Sequence, residues 1–179
     1  MRSSPAHRTI RREDALQRAQ EVAAGLADRA DEADRTGTFP GDDVQALRQA
    51  GLLGLMVPER LGGAGAGFAD YAEVAMALAA GSGSTALIFN MHASVTGALA
   101  LTPDDLALAL GVPESYFAVR DDVLGGALQG AMYSVAMSER GAGSRLSEMT
   151  TRYRAAPDGW LLTGSKAFCS GSTLSLIHI

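Results

Sequence analysis

Apolar residues Ala15, Leu16, Ala19, Val22, Ala23, Leu26, Ala30 and Ala33 recur at steps of three and four, with Arg, Glu, Gln and Asp between them. This spacing predicts an amphipathic helix with its apolar stripe packed on other elements, ended by Thr36-Gly37-Thr38. A short second helix is expected after Pro40, burying Val44, Leu47 and Ala50, with Gly51 suited to the position just past its end. Leu52 to Val57 is apolar, Pro58 prevents its continuing as helix, and Gly62 to Gly67 reads as a flexible loop. Phe68, Tyr71, Val74, Ala75 and Leu78 mark a third helix, and Ser84 is the expected cap of a fourth reaching about Leu101. Thr102-Pro103-Asp104-Asp105 combines a capping hydroxyl, a first-turn proline and acids at the positive end of a helix that ends near Gly111. A further helix is expected over Glu114 to Leu124, closed by Gly125-Gly126.

The period then changes. Met132 to Met137 reads as strand, and Met149 to Ala156 and Trp160 to Thr163 flank Pro157-Asp158-Gly159, a hairpin signal. The fold class expected is α+β: an N-terminal all-α helical domain over 1–128, followed by the beginning of a β-barrel-like middle domain over 129–173.

From Val74 through Leu101 there is no Asp, Glu, Lys or Arg, but Gly81-Ser82-Gly83-Ser84, Asn90 and His92 interrupt the run. Two buried helices are expected there, and no membrane span. Met1 to Asp14 is Arg-rich with no apolar stretch behind it, unlike a secretory signal.

With 179 residues, 47% of them hydrophobic and 20% charged, the chain has material for one core and is neither disordered nor fibrous. A net charge of −5 argues against nonspecific nucleic-acid binding. The single cysteine, Cys169, excludes a disulfide-stapled secreted module and suits a reducing compartment, so a cytoplasmic location is expected.

Side-chain chemistry alone is sparse. Gly81-Ser-Gly-Ser-Thr-Ala86 matches a dinucleotide fingerprint, but a helix precedes it where a strand is required, so it reads as a tight helix–helix turn. Gly62 to Gly67 lacks the Gly-Lys-Ser/Thr of a phosphate loop. His7, His92 and His178 sit in no metal-ligand spacing, and there is no nucleophile elbow. His92, on an apolar helical face, reads first as a core histidine.

Three ordered blocks give more. Phe39-Pro40, Leu47 to Glu59 (LRQAGLLGLMVPE) and Gly62-Gly63-Ala64-Gly65 form the first, and Met137-Ser138-Glu139-Arg140-Gly141-Ala142-Gly143-Ser144 the second. Asp158-Gly159-Trp160-Leu161-Leu162-Thr163-Gly164-Ser165-Lys166-Ala167-Phe168-Cys169-Ser170-Gly171 is the third. Together they resemble the acyl-CoA dehydrogenase family of flavoproteins. The resemblance implies a helical domain, a middle β-domain and a C-terminal helical bundle, with FAD between the last two. It also implies α,β-dehydrogenation of an acyl-CoA or acyl-carrier thioester by a homo-oligomeric enzyme. Residue by residue, it places Met137 and Ser138 at the pyrimidine edge of the flavin, Phe168 on its ring and the Ser170 hydroxyl toward N5. Ser144 is placed on the acyl-CoA. The family's catalytic glutamate belongs to the C-terminal bundle.

Arg140 and Arg145 depart from the proline and aspartate usual in the second block. They suit phosphates, a different substrate, or plain solvation. Two other readings therefore stay open: an oxygen-using flavin monooxygenase on the same scaffold, for which His92 gains weight, and a non-enzymatic helical interaction domain. Residues 174–179 read as a translated sequencing-adapter end and are set aside from fold reasoning. On that reading the chain is a fragment, expected to lack dehydrogenase activity and to aggregate through an uncovered apolar face.

Overall fold

The computed structural model describes residues 10–171; His7, His178 and the 174–179 segment lie outside them. Helix α1 (Ala15–Thr36) buries Ala15, Ala19, Ala23 and Leu26 along the expected stripe. Helix α2 (Gly41–Gln49) buries Val44 and Leu47, and Gly51 follows it with φ +77°. Leu52 to Val57 forms a short 3-10 turn and its continuation, all buried. Helices α3 (Phe68–Gly81) and α4 (Gly83–Leu101) come next, with α3 packed between α1 and α4. The core joins Leu26, Val44, Leu47, Leu52, Leu55, Val74, Leu78 and Phe89.

The Gly81–Ala86 stretch is the helix–helix turn expected. Gly81 is needed there because a Cβ would lie 2.2 Å from the Ala23 carbonyl oxygen of α1. The cap of α4 is Ser82 rather than Ser84: its hydroxyl accepts from the Thr85 N–H at 3.2 Å. Helix α4 runs straight through Asn90 and His92, so it is long and apolar enough, by length and composition, to cross a membrane. It packs as a core helix instead, burying Ile88, Phe89, His92, Ala93 and Thr96 among others.

Helix α5 (Asp104–Ala109) starts as expected, but Thr102 does not cap it. Its hydroxyl donates back to the Ala98 carbonyl at 2.6 Å, closing the end of α4. Helix α6 (Ser115–Leu128) continues through Gly125-Gly126 rather than stopping there. A polar brace holds these helices: the buried Asp43 accepts from Arg29 Nε at 2.7 Å and from the Thr85 hydroxyl at 2.6 Å, tying α1, α2 and α4 together.

Met132 to Met137 is irregular rather than a strand, because no neighbouring strand pairs with it among the described residues. The hairpin forms as β1 (Arg152–Ala156) and β2 (Gly159–Thr163), antiparallel, with Arg152 opposite Thr163 and Ala156 opposite Gly159. Pro157-Asp158 is the two-residue loop. A mostly helical body with a small two-stranded sheet bears out the α+β expectation.

Candidate functional site

The second block folds into a tight turn. Glu139 and Gly143 exchange both backbone hydrogen bonds, at 2.9 and 2.8 Å. Gly143 closes the turn at φ +59°, a conformation most side chains resist. Ser144 is exposed on the far limb of this turn, and no hydrogen bond among the described residues joins it to 166–171. Arg145 is engaged locally, with Glu148 at 2.8 Å and the Ala142 carbonyl at 3.4 Å, while Arg140 is exposed.

Met137 and Ser138 lie on the near limb, and here the third block meets the second. The Ala167 N–H donates to the Ser138 carbonyl at 2.9 Å, and Lys166 Nζ reaches the Met137 carbonyl at 3.4 Å. Phe168 follows, 92% exposed and at φ +57°. For an aromatic residue that backbone conformation costs on the order of 1–3 kcal/mol, so it persists only where its surroundings hold it. Its holders flank it: Ala167 is bonded to Ser138, and the Ser170 carbonyl accepts from the Ser134 hydroxyl. Gly171 then sits against Ile88 of α4, where an added Cβ would lie 3.4 Å from Ile88 Cγ2. The structure thus brings Met137 and Ser138 beside the segment that carries Phe168 and Ser170, while Ser144 follows Gly143 across the turn from Ser138, with no hydrogen bond of its own to that segment among the described residues.

Glu139 organises this junction, and sequence reasoning missed it. Its buried carboxylate takes five donors. Oε2 accepts from the Thr150 N–H (2.8 Å) and hydroxyl (2.7 Å). Oε1 accepts from the Thr151 N–H (2.9 Å) and hydroxyl (2.6 Å) and from Lys166 Nζ (3.0 Å). The Thr151 hydroxyl first, then the Thr150 donors and Lys166, hold the carboxyl well below the usual carboxylate range. The only signal in the sequence was its place inside the second block.

His92 is the joint between helical body and site. Its Nε2–H donates to the Leu53 carbonyl at 2.8 Å, and Nδ1 accepts from the Tyr133 N–H at 3.1 Å, which fixes a neutral tautomer. Burial pushes its pKa down to about 4. The ring stacks on Tyr133 at 5.7 Å with planes 4° apart. Both nitrogens are occupied by backbone, so His92 is a core histidine in this fold. Elsewhere, a cavity of about 760 Å³ is lined by Ile10, Arg12, Glu59, Gly63, Asp70 and Glu73, and no residue of 131–171 reaches it.

The profile of the acyl-CoA dehydrogenase N-terminal domain matches residues 7–102, and the chain belongs to the acyl-CoA dehydrogenase family. It is 32% identical over 166 residues to 3-sulfinopropanoyl-CoA desulfinase of Variovorax paradoxus, covering 90% of this chain and 38% of that protein. It is 34% identical over 139 residues to human mitochondrial short-chain specific acyl-CoA dehydrogenase, covering 78% and 31%. Among solved structures, KijD3 in complex with FMN and a dTDP-linked amino sugar matches with TM-score 0.76 and 28% identity, covering 97% of this chain and 39% of that one. The chain spans about two fifths of the length of the curated relatives it matches.

Proposed function

We propose that this chain supplies one wall of a flavin pocket in an enzyme that dehydrogenates an acyl thioester between its α and β carbons. The carrying observation is the 2.9 Å bond from Ala167 to Ser138, which sets the two sequence blocks side by side. The residues present fit a flavin edge. The half-buried Ser138 offers a hydroxyl, Met137 a backbone, and Phe168 a fully presented apolar ring. Met137 and Ser138 are assigned to the pyrimidine edge, Phe168 to the ring, the Ser170 hydroxyl to N5, and Ser144 to the acyl-CoA.

When bound, the flavin accepts the hydride taken from the β carbon, and FAD is the form we propose. The chain's own part is to hold that edge with directional donors and keep water from it. The proton-accepting base is assigned to no residue here. Both curated relatives carry acyl-CoA substrates in their names, which supports a thioester substrate.

A second reading, an oxygen-using flavin monooxygenase, is favoured by one observation: KijD3 holds FMN with a ligand that is no thioester. The test uses a protein carrying this chain at its relatives' full length. Acyl-CoA should bleach its flavin and reduce an artificial acceptor. Turnover only with external reduced flavin and oxygen would transfer the assignment to the second reading, and a preparation that takes up no flavin would overturn both.

A further inference from the structure

The geometry points to Glu139 as a positioning residue that, with Lys166 and the Thr150-Thr151 pair, sets the spacing and conformation of the two backbone segments assigned to the flavin edge. The inference rests on the flavin reading above and adds the device that builds the edge. Three observations carry it. First, the Glu139–Lys166 ion pair (3.0 Å) and the Ser138–Ala167 hydrogen bond (2.9 Å) are consecutive cross-links between the same two segments. The carboxylate therefore acts on the Met137–Ser138 backbone through its immediate neighbour.

Second, the site is saturated: five donors converge on two oxygens, so each oxygen is fixed in place and the side chain has no freedom to rotate. Glutamine has the same shape but fails here. Whichever way its amide is turned, its NH₂ faces at least one backbone N–H, which can only donate. Third, Phe168 keeps its left-handed backbone between two anchors, Ala167 on one side and Ser170 on the other, and the first anchor is the one Glu139 sets. Losing the carboxylate releases Ala167 and lets Phe168 relax away from its presented position.

The test uses a protein carrying this chain at its relatives' full length, and three variants of it: Glu139→Gln, the double Thr150→Val/Thr151→Val, and the double Thr150→Ser/Thr151→Ser. Amide hydrogen exchange at Ala167 should speed up ten- to a hundredfold in the Gln and Val variants, while α1, α3 and α4 amides exchange as in the wild type. The Ser double variant, which keeps both hydroxyls, should restore wild-type exchange. In parallel, FAD and FMN are titrated in and followed by fluorescence quenching and by the shape of the visible band. Affinity should fall at least tenfold in the Gln and Val variants and recover within about threefold in the Ser variant.

Unchanged exchange at Ala167, or a rise spread evenly over the helices, overturns the inference. So does wild-type flavin affinity in Glu139→Gln. A full-length wild-type protein that binds neither flavin removes the flavin reading, and exchange at Ala167 then decides by itself whether Glu139 sets the two segments.

Discussion

The helical body and the segment that follows it are held together by different physics. From Ile10 to Leu128, large apolar side chains such as Leu26, Leu47, Leu78 and Phe89 are buried, and the buried polar groups are braces between helices. From Ala131 to Gly171 only Met132, Glu139 and Ala142 are buried, while Tyr153, Trp160, Leu161, Leu162 and Phe168 face outward. One region owns a core; the other owns a carboxylate with five donors. A two-stranded hairpin has little stability by itself in water, so order in the second region depends on Glu139 and on its ties to the body: Met132 in the core, Tyr133 on His92, and Gly171 against Ile88 of α4. The difference teaches that the region assigned to ligand contact is the one least able to hold its shape by burial.

That contrast can be broken most forcefully in the body. Phe89→Ala removes a fully buried ring and should cost about 3–5 kcal/mol of unfolding free energy, measured by urea denaturation followed by circular dichroism. A loss under about 1 kcal/mol would mean the helical core is not the main source of stability. The next largest effect lies at the joint. Native His92 stays neutral down to about pH 4, whereas an unfolded histidine takes its proton near pH 6.5. Between those values the unfolded state binds the extra proton, so stability falls by about 3 kcal/mol as pH drops through the window. Above pH 6.5 His92 contributes no slope, and His92→Gln should flatten the profile between pH 6.5 and 4. An unchanged slope in that variant would assign the pH dependence to other groups. The smallest effect belongs to the hairpin: Trp160→Ala, at a residue 65% exposed whose one aromatic neighbour among the described residues is Tyr153 at 5.5 Å, should shift the main unfolding transition by less than about 0.5 kcal/mol. A larger shift would show that the hairpin is part of the body's cooperative unit.

Legibility in the sequence followed the same division. Helices α1 to α4 and the hairpin could be read because their signals are local: apolar steps of three and four, a proline, a glycine, an Asp-Gly. The misses arose where a competing partner, near in the chain or far from it, overrode a local signal. Gly125-Gly126 looks like a stop, yet α6 continues, and a Cβ at Gly126 would lie 2.6 Å from the Tyr133 hydroxyl. That hydroxyl in turn donates to the Val123 carbonyl at 2.5 Å. Thr102 looks like a cap but serves the helix before it. His92 finds partners 39 and 41 residues away, and no pattern in the sequence announces them. At the site, the blocks named Met137, Ser138, Phe168 and Ser170, but the carboxylate that joins the two stretches was passed over, because its donors come from two other places in the chain, Thr150-Thr151 and Lys166.

Glu139 and Lys166 are 27 residues apart. At a synthesis rate of about 5–20 residues per second, the lysine leaves the ribosome roughly one to five seconds after the glutamate. Throughout that interval the carboxylate stays hydrated, which carries no desolvation penalty. The ion pair, and with it the full set of five donors, can form only once the lysine has emerged.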